Sequence, residues 1–186
     1  MSRKPAIFVD RDGTFNELVG YLNDLDAFEL YPWSLEAIRL INRSGFLAVM
    51  VTNQSGIARG IYSEELVQTV HSRMTEMLAG ADARLDGIYY CPHGTSGNCE
   101  CRKPKPGMLE TAQHDLQIDM SRSWVIGDSY SDLEVAWNTG ARAALVLTGY
   151  GRGNYEHLRD HWRRQPDILA PNLYSAVVEI VWEASK

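Results

Sequence analysis

Residues 6–14 read AIFVDRDGT: four apolar residues, two aspartates that flank an arginine, then a glycine and a threonine. The short run from Ala6 to Val9 is typical of a strand that is buried on both faces of a parallel sheet. Asp10 and Asp12 therefore follow a strand directly, and Gly13 lets the chain turn behind them. Because ligands of open parallel sheets bind outside the carboxyl ends of the strands, this junction predicts both the fold and the place of the site.

The remainder of the chain alternates short apolar runs with longer runs of helical period, as strand–helix–strand units do. Further strands are predicted at residues 47–51, 87–90, 124–126 and 143–147. Helices are predicted at residues 34–44, 64–79, 107–116, 131–139 and 173–182, with Ser34 and Ser63 as N-caps. Residues 149–153 contain three glycines and predict a mobile loop, and residues 155–164 predict a short helix. We expect one α/β domain over residues 1–186, with a parallel sheet of five or more strands flanked by helices.

Size, charge and the N-terminal sequence exclude several classes of protein. A chain of 186 residues with 45% hydrophobic content is long enough to bury one core. Its formal charge of -6 would repel a nucleic acid. The first apolar stretch ends at Val9, too early for a signal peptide or a membrane span. We expect a cytoplasmic monomer without a nucleic-acid or membrane partner.

Asp10 and Asp12 are two carboxylates held close together at the exit of the first strand. Close carboxylates repel one another, and a divalent cation or catalytic duty explains their retention. A carboxylate can also attack phosphorus and form an acyl phosphate, which divides one displacement into two easier ones. A turn, or a bare cation site, is the alternative for this motif alone.

Two other strands deliver polar groups to the same edge of the predicted sheet. The second strand ends in Thr52, Asn53, Gln54 and Ser55, which offer donors to phosphoryl oxygens but also make an ordinary polar turn. The fourth strand ends at Gly127 and is followed by Asp128, which we prefer as a metal ligand, and by Asp132, which also suits the first turn of a helix. An oxygen-rich site of this kind suits Mg²⁺.

The cysteines lie in one short segment, residues 91–101, together with a histidine. Cys91, His93, Cys99 and Cys101 form a Cys₃His set that suits tetrahedral Zn²⁺ with no open position, so we expect a structural ion. A core thiol cluster and a redox pair are the alternatives. An odd number of cysteines this close together is poor material for a disulfide framework.

The motifs also resemble a known family. The haloacid-dehalogenase (HAD) superfamily of aspartate-nucleophile phosphatases is similar at residues 10–14, Thr52 and Asp128. The closer resemblance is to the D-glycero-D-manno-heptose 1,7-bisphosphate phosphatases and the related histidinol-phosphate phosphatases, and it is carried by residues 9–14, 51–60, 91–93, 101–104 and 127–128. It implies a Rossmann-like HAD fold that has a zinc loop and lacks a large cap domain.

The resemblance implies a role for each matching residue. Asp10 would be the nucleophile, Asp12 the general acid and base, and Thr52 and Lys103 the ligands of the transferring phosphoryl group. Mg²⁺ would bind the Asp10 carboxylate, the Asp12 carbonyl and Asp128. The substrate would contact Leu18, Val19, Gly20, Tyr21, Asn53, Gln54, Ser55 and Arg102. Ser129 stands where the heptose phosphatases usually have lysine, so any contact made by that lysine is missing or altered.

These patterns together predict a phosphoric monoester hydrolase that acts on a small phosphorylated metabolite. The best single substrate is heptose 1,7-bisphosphate, converted to heptose 1-phosphate, a reaction of carbohydrate metabolism that supplies a lipopolysaccharide core precursor. A histidinol-phosphate phosphatase and, from another class, a non-catalytic zinc-containing binding module are the alternatives. The histidines outside the zinc set are expected to be surface or helix residues: His71, His114, His157 and His161.

Overall fold

The computed structural model describes residues 3–186 and contains one sheet of six parallel strands in the order β3-β2-β1-β4-β5-β6. The strands are β1 (Ala6–Val9), β2 (Leu47–Asn53), β3 (Gly87–Cys91), β4 (Trp124–Gly127), β5 (Arg142–Val146) and β6 (Ile168–Ala170). The predicted α/β class is confirmed. The sixth strand was not predicted, because it is only three residues long and lies at the sheet edge beside β5.

Six α-helices of the described part of the chain cover the two faces of this sheet. They are α1 (Ser34–Arg43), α2 (Glu64–Gly80), α3 (Gly107–Leu116), α4 (Tyr130–Asn138), α5 (Gly151–Leu158) and α6 (Leu173–Ala184). Ser63 caps α2 as predicted, since its side chain accepts from the Leu66 N–H. The predicted cap Ser34 is wrong: Ser34 is the first residue of α1, and its hydroxyl donates to the Phe15 carbonyl instead.

The segment at residues 149–153 also differs from its prediction as a loop. Helix α5 begins at Gly151, four residues before the predicted start, and a short 3-10 turn over Arg159–His161 follows it. A Cβ at Gly151 would collide with the carbonyl oxygen of Val146. The glycine is therefore needed for close approach of the helix to β5, and it does not mark a loop.

The central strand β1 contributes side chains to both hydrophobic clusters. Ile7 and Val9 belong to the cluster that includes α1, α2 and α6, whereas Ala6 and Phe8 belong to the cluster that includes α3 and α4. All four side chains are fully buried. Burying a side chain as large as Ile or Phe contributes about 1.5–3 kcal/mol, so the strand is fixed from both sides.

The topology places a crevice at the carboxyl end of β1. Its neighbours are β2 and β4. Strands β2 and β3 therefore lie on one side of β1, and the later strands β4, β5 and β6 lie on the other. Such a switch point is where open α/β sheets bind ligands. Within residues 3–186, no separate cap domain covers this end, and no helix has the length and apolar composition needed to cross a membrane.

Candidate active site and metal centres

A cavity of about 400 Å³ opens at the switch point. Its lining includes Asp10, Asp12, Thr52, Lys103 and Asp128, which the sequence assigned to one site from four separate segments. The predicted substrate residues in the lining are Leu18, Gly20, Tyr21, Asn53, Ser55 and Arg102. Of the two others, Gln54 is buried behind the lining and Val19 is exposed.

Asp10 is fixed at the floor of this cavity. Its backbone N–H donates to the Ile126 carbonyl at 2.9 Å, which ties the end of β1 to β4. Its carboxylate accepts from the Lys103 ammonium at 2.7 Å. Burial raises the pKa of Asp10 to about 7, although the Lys103 charge opposes the rise. The ionised form that a nucleophile requires therefore depends on cations nearby.

Lys103 is a buried cation held by oxygen atoms. Its ammonium donates to Asp10 at 2.7 Å, to Asp132 at 2.6 Å and to the Val51 carbonyl at 3.0 Å. Burial opposes its charge, but the two carboxylates outweigh burial and raise the pKa of Lys103 above its usual range. Asn53 fixes the loop, because its side chain accepts from the Lys103 N–H at 3.1 Å and donates to the Lys103 carbonyl at 3.3 Å.

Asp132 is a site residue that the sequence reasoning left undecided. It is fully buried, and its side chain accepts from the N–H of Ser129 at 3.1 Å and from the Ser129 hydroxyl at 2.6 Å, closing a capping box at the start of α4. Its other oxygen binds Lys103. An aspartate four residues after Asp128 fits both a helix start and a ligand set, and sequence spacing does not separate the two.

The acidic groups near Asp10 fit a divalent cation. Carboxylate oxygens of Asp10, Asp128 and Asp132 all lie within 4.8 Å of one another. Burial and the neighbouring negative charges raise the pKa of Asp128 to about 8. Both oxygens of Asp132 are already bonded, one to Lys103 and one to Ser129. Asp10 uses one oxygen for Lys103 and Asp128 uses one for the Tyr150 N–H, so each of these two keeps an oxygen for a metal. Oxygen donors of this kind suit Mg²⁺.

Asp12 is held in its ionised form. Its carboxylate accepts from Arg11 at 2.9 Å, from Asn16 at 3.1 Å and from Gln54 at 2.9 Å. Burial works to raise the pKa of Asp12, but the Arg11 charge and these hydrogen bonds outweigh burial and lower it. An ionised Asp12 is the form required of a general base.

Gln54 joins three polar groups behind the cavity. Its amide nitrogen donates to Thr52 Oγ1 at 2.8 Å as well as to Asp12, and its oxygen accepts from the Tyr62 hydroxyl at 2.8 Å. The side chain is almost fully buried. Gln54 thus fixes Thr52 and Asp12, a role that the sequence analysis missed when it assigned the residue to the substrate.

His71 lies on a helix, as expected, but it is buried against Arg11. The distance from its Nε2 to the Arg11 guanidinium is 3.4 Å, and its ring meets Tyr90 edge-on. Burial, together with the charge of Arg11, lowers the pKa of His71 to about 4. A neutral His71 accepts from Arg11 and supports the guanidinium that holds Asp12.

Replacing His71 by glutamine should make the free energy of unfolding less dependent on pH between about pH 4 and 6.5. The folded pKa of about 4 lies below the ordinary 6.5, so the unfolded chain takes up a proton first as the pH falls. The free energy of unfolding is therefore highest above pH 6.5, and protonation of His71 in the unfolded chain lowers it by up to about 3 kcal/mol between pH 6.5 and about pH 4. Urea unfolding of H71Q and wild type across this range measures the effect. The exposed-histidine variant H114Q should keep the wild-type slope, and an equally steep slope in H71Q would contradict the prediction.

The predicted zinc set converges in the loop after β3. The Sγ atoms of Cys91 and Cys99 are 3.7 Å apart, and Nδ1 of His93 lies 3.6 Å from Cys91 Sγ and 3.2 Å from Cys101 Sγ. Sulfur atoms bound to one tetrahedral Zn²⁺ at 2.3 Å would lie about 3.8 Å apart. The Cys91–Cys99 pair matches this spacing, whereas the Sγ atoms of Cys91 and Cys101 are 2.7 Å apart and would separate when they bind an ion. The four donors are within 4.8 Å of one another, and the residues fit a closed zinc site.

Two comparisons with known sequences agree with this geometry. Residues 100–176 match a family described as HAD-hydrolase-like. The D-glycero-beta-D-manno-heptose-1,7-bisphosphate 7-phosphatase of Escherichia coli K12 is 47% identical over 154 residues, covering 78% of this chain and 80% of that protein. The D-glycero-D-manno-heptose-1,7-bisphosphate 7-phosphatase of Thermosynechococcus vestitus is 39% identical over 189 residues and covers 94% of both.

Solved structures of heptose bisphosphate phosphatases have a similar backbone fold. The D,D-heptose 1,7-bisphosphate phosphatase from B. bronchiseptica, complexed with magnesium and phosphate, superposes with a TM-score of 0.88 at 31% identity. The match covers 96% of this chain and 99% of that one. The corresponding phosphatase from Burkholderia thailandensis gives a TM-score of 0.72 at 27% identity over a similar share.

Proposed function

The chain belongs to the family of D-glycero-D-manno-heptose-1,7-bisphosphate 7-phosphatases in the HAD superfamily, and on this basis we propose that it hydrolyses the 7-phosphate ester of that sugar and leaves heptose 1-phosphate. The observation that carries the proposal is the buried Asp10–Lys103 pair, which faces Asp128 at the switch point of the sheet. It joins a nucleophile to fixed positive charge in one cavity.

The chain's own residues supply both halves of the proposed reaction. A carboxylate oxygen of Asp10 attacks phosphorus, the bond from phosphorus to the sugar oxygen breaks, and Asp12 in its protonated form gives that oxygen a proton. The resulting aspartyl phosphate is then hydrolysed by a water whose proton Asp12 takes up. Lys103 and Thr52 hold the phosphoryl oxygens, and Arg11 and Gln54 stabilise the ionised Asp12 that remains after the first proton transfer, so that it can accept the proton of the water.

Magnesium completes the proposed site. The Asp10 carboxylate, the Asp12 carbonyl and Asp128 would hold it. When bound, Mg²⁺ neutralises the charge between nucleophile and phosphate. The raised pKa values of Asp10 and Asp128 support this assignment, because both carboxyl groups need a further cation to ionise fully near neutral pH.

Turnover of defined substrates tests the proposed function. Heptose 1,7-bisphosphate and histidinol phosphate are compared side by side with added Mg²⁺, and ³¹P NMR identifies which ester is cleaved. We expect inorganic phosphate and heptose 1-phosphate, with a higher kcat/KM than for histidinol phosphate. Preferential hydrolysis of histidinol phosphate, or release of the 1-phosphate, would contradict the proposal.

We also propose that zinc in the Cys91–Cys101 loop has a positioning role. Arg102 and Lys103 follow Cys101 directly, and the Arg102 guanidinium donates back to the His93 carbonyl at 3.3 Å. The loop that carries the zinc ligands therefore also carries two of the cations that line the cavity. An ion there would fix Arg102 for the substrate without taking part in bond making.

Replacing Cys99 by alanine should remove the ion and loosen this loop. We expect the bound zinc, measured by plasma mass spectrometry, to fall from about one equivalent to a small fraction. We expect KM for the bisphosphate to rise about tenfold or more, the range seen for lost ligand-supporting groups. The variant S96A, in the same loop but without a ligand atom, should match wild type in both measurements. A zinc-free C99A protein with unchanged KM would exclude the positioning role.

A further inference from the structure

Arg59 is an arginine in the cavity that none of the assigned roles uses. It lies in the turn after β2, where its backbone N–H donates to the Ser55 carbonyl at 3.2 Å. Its exposed side chain lines the same cavity as Asp10 and Lys103. Among residues 3–186, its guanidinium has no hydrogen-bond or ion-pair partner; it lies 5.8 Å from the ring centroid of Tyr21.

A substrate with two phosphates needs positive charge in two places. Lys103 serves only the floor of the cavity, because its ammonium is buried and already bonded to Asp10, Asp132 and the Val51 carbonyl. Ser129 also lines the cavity, but it carries no charge and its hydroxyl donates to Asp132. Charge for a second phosphate must therefore come from the arginines that line the cavity.

Two arginines line it, Arg59 in the turn after β2 and Arg102 in the zinc loop. Arg102 uses one nitrogen on the His93 carbonyl, so part of its guanidinium is occupied. Among residues 3–186 the Arg59 guanidinium has no hydrogen-bond partner, and its position 5.8 Å from the centroid of the Tyr21 ring uses none of its donors. A planar guanidinium with free donors matches a phosphate group well.

We propose that Arg59 binds the phosphate that is not hydrolysed and so determines the preference for a bisphosphate over a monophosphate. This inference rests on the proposed function, since it concerns the second phosphate of the same substrate. Arg59 acts as a specificity residue. It touches neither phosphorus at the reacting end nor the leaving oxygen, so its loss should affect binding far more than the chemical step.

The test compares heptose 1,7-bisphosphate with heptose 7-phosphate, which has the reacting ester but lacks the other phosphate. We expect R59Q to reduce kcat/KM for the bisphosphate about 10- to 100-fold, the equivalent of one charge-assisted hydrogen-bonded contact, chiefly through KM. For heptose 7-phosphate we expect less than about a twofold change, because the lost contact is absent there. R59K should keep part of the preference. R73Q, which removes an exposed arginine from α2, should behave as wild type.

Inhibition by the product heptose 1-phosphate provides a second test, which does not depend on the turnover of heptose 7-phosphate. Heptose 1-phosphate should inhibit R59Q more weakly than wild type, with an inhibition constant raised in proportion to KM. An equal loss of kcat/KM on both substrates, or an unchanged constant for heptose 1-phosphate, would overturn the role of Arg59. Failure of wild type to hydrolyse the 7-phosphate ester of either sugar would instead contradict the proposed function.

Discussion

Replacing Asp10 by asparagine should abolish turnover while leaving the protein folded. The change removes the attacking oxygen but keeps the shape of the side chain, and Lys103 retains an oxygen acceptor at that position. We expect kcat to fall by at least about 10⁴-fold, the scale known for loss of a nucleophile. Steady-state hydrolysis of heptose 1,7-bisphosphate with Mg²⁺ measures the loss of kcat. In addition, wild type quenched with acid during turnover should yield a phosphorylated peptide that contains Asp10.

The control for this variant removes an acid elsewhere. Asp160 is 91% exposed and lies 3.8 Å from Arg159 at the surface, so D160N should keep the wild-type rate and the phosphorylated peptide. Residual activity of D10N within tenfold of wild type would exclude Asp10 as the nucleophile. A non-catalytic binding module, the third hypothesis from the sequence, would show no difference between wild type and D10N.

Replacing Lys103 by methionine should have the second largest effect, on both rate and stability. Methionine keeps much of the length of the side chain but leaves the buried carboxylates of Asp10 and Asp132 without their shared cation. Removing one donor to a developing charge costs about 10²- to 10³-fold in kcat. Removing one partner of a buried ion pair costs about 3–5 kcal/mol of folding stability. Steady-state kinetics and urea unfolding measure the two effects separately.

Lys105 provides the matched control, because it follows two residues later and pairs with Glu100 at the surface. A half-exposed ion pair contributes little, about 1 kcal/mol at most, so K105M should leave both rate and stability close to wild type. Stability of K103M at pH 5 should approach that of wild type more closely than at pH 8, since protonation of Asp10 relieves its unpaired charge. An unchanged kcat in K103M would show that the ammonium does not serve the phosphoryl group.

The sequence predicted the chemistry of the site better than the contacts within it. Asp10, Asp12, Thr52 and Asp128 are placed by strand ends, and strand ends are recognisable because buried strands are short apolar runs. Arg11, Gln54, His71 and Asp132 are not recognisable in this way. Their roles depend on which donor lies beside which acceptor, and the contacts that decide this join residues 29 to 60 positions apart in the chain.

Residue types and their short spacing along the chain are enough to predict the α/β class, the family, the nucleophile motif and the Cys₃His set. The tertiary structure determines which carboxylate oxygens are free for a metal, which two carboxylates are bonded to Lys103, and which arginine of the cavity has no partner among residues 3–186. These properties depend on burial and on pairing across the sheet. The motif at residues 6–14 specifies an acid at a strand end, but only the packed neighbours of Asp10 set the pKa at which that acid ionises.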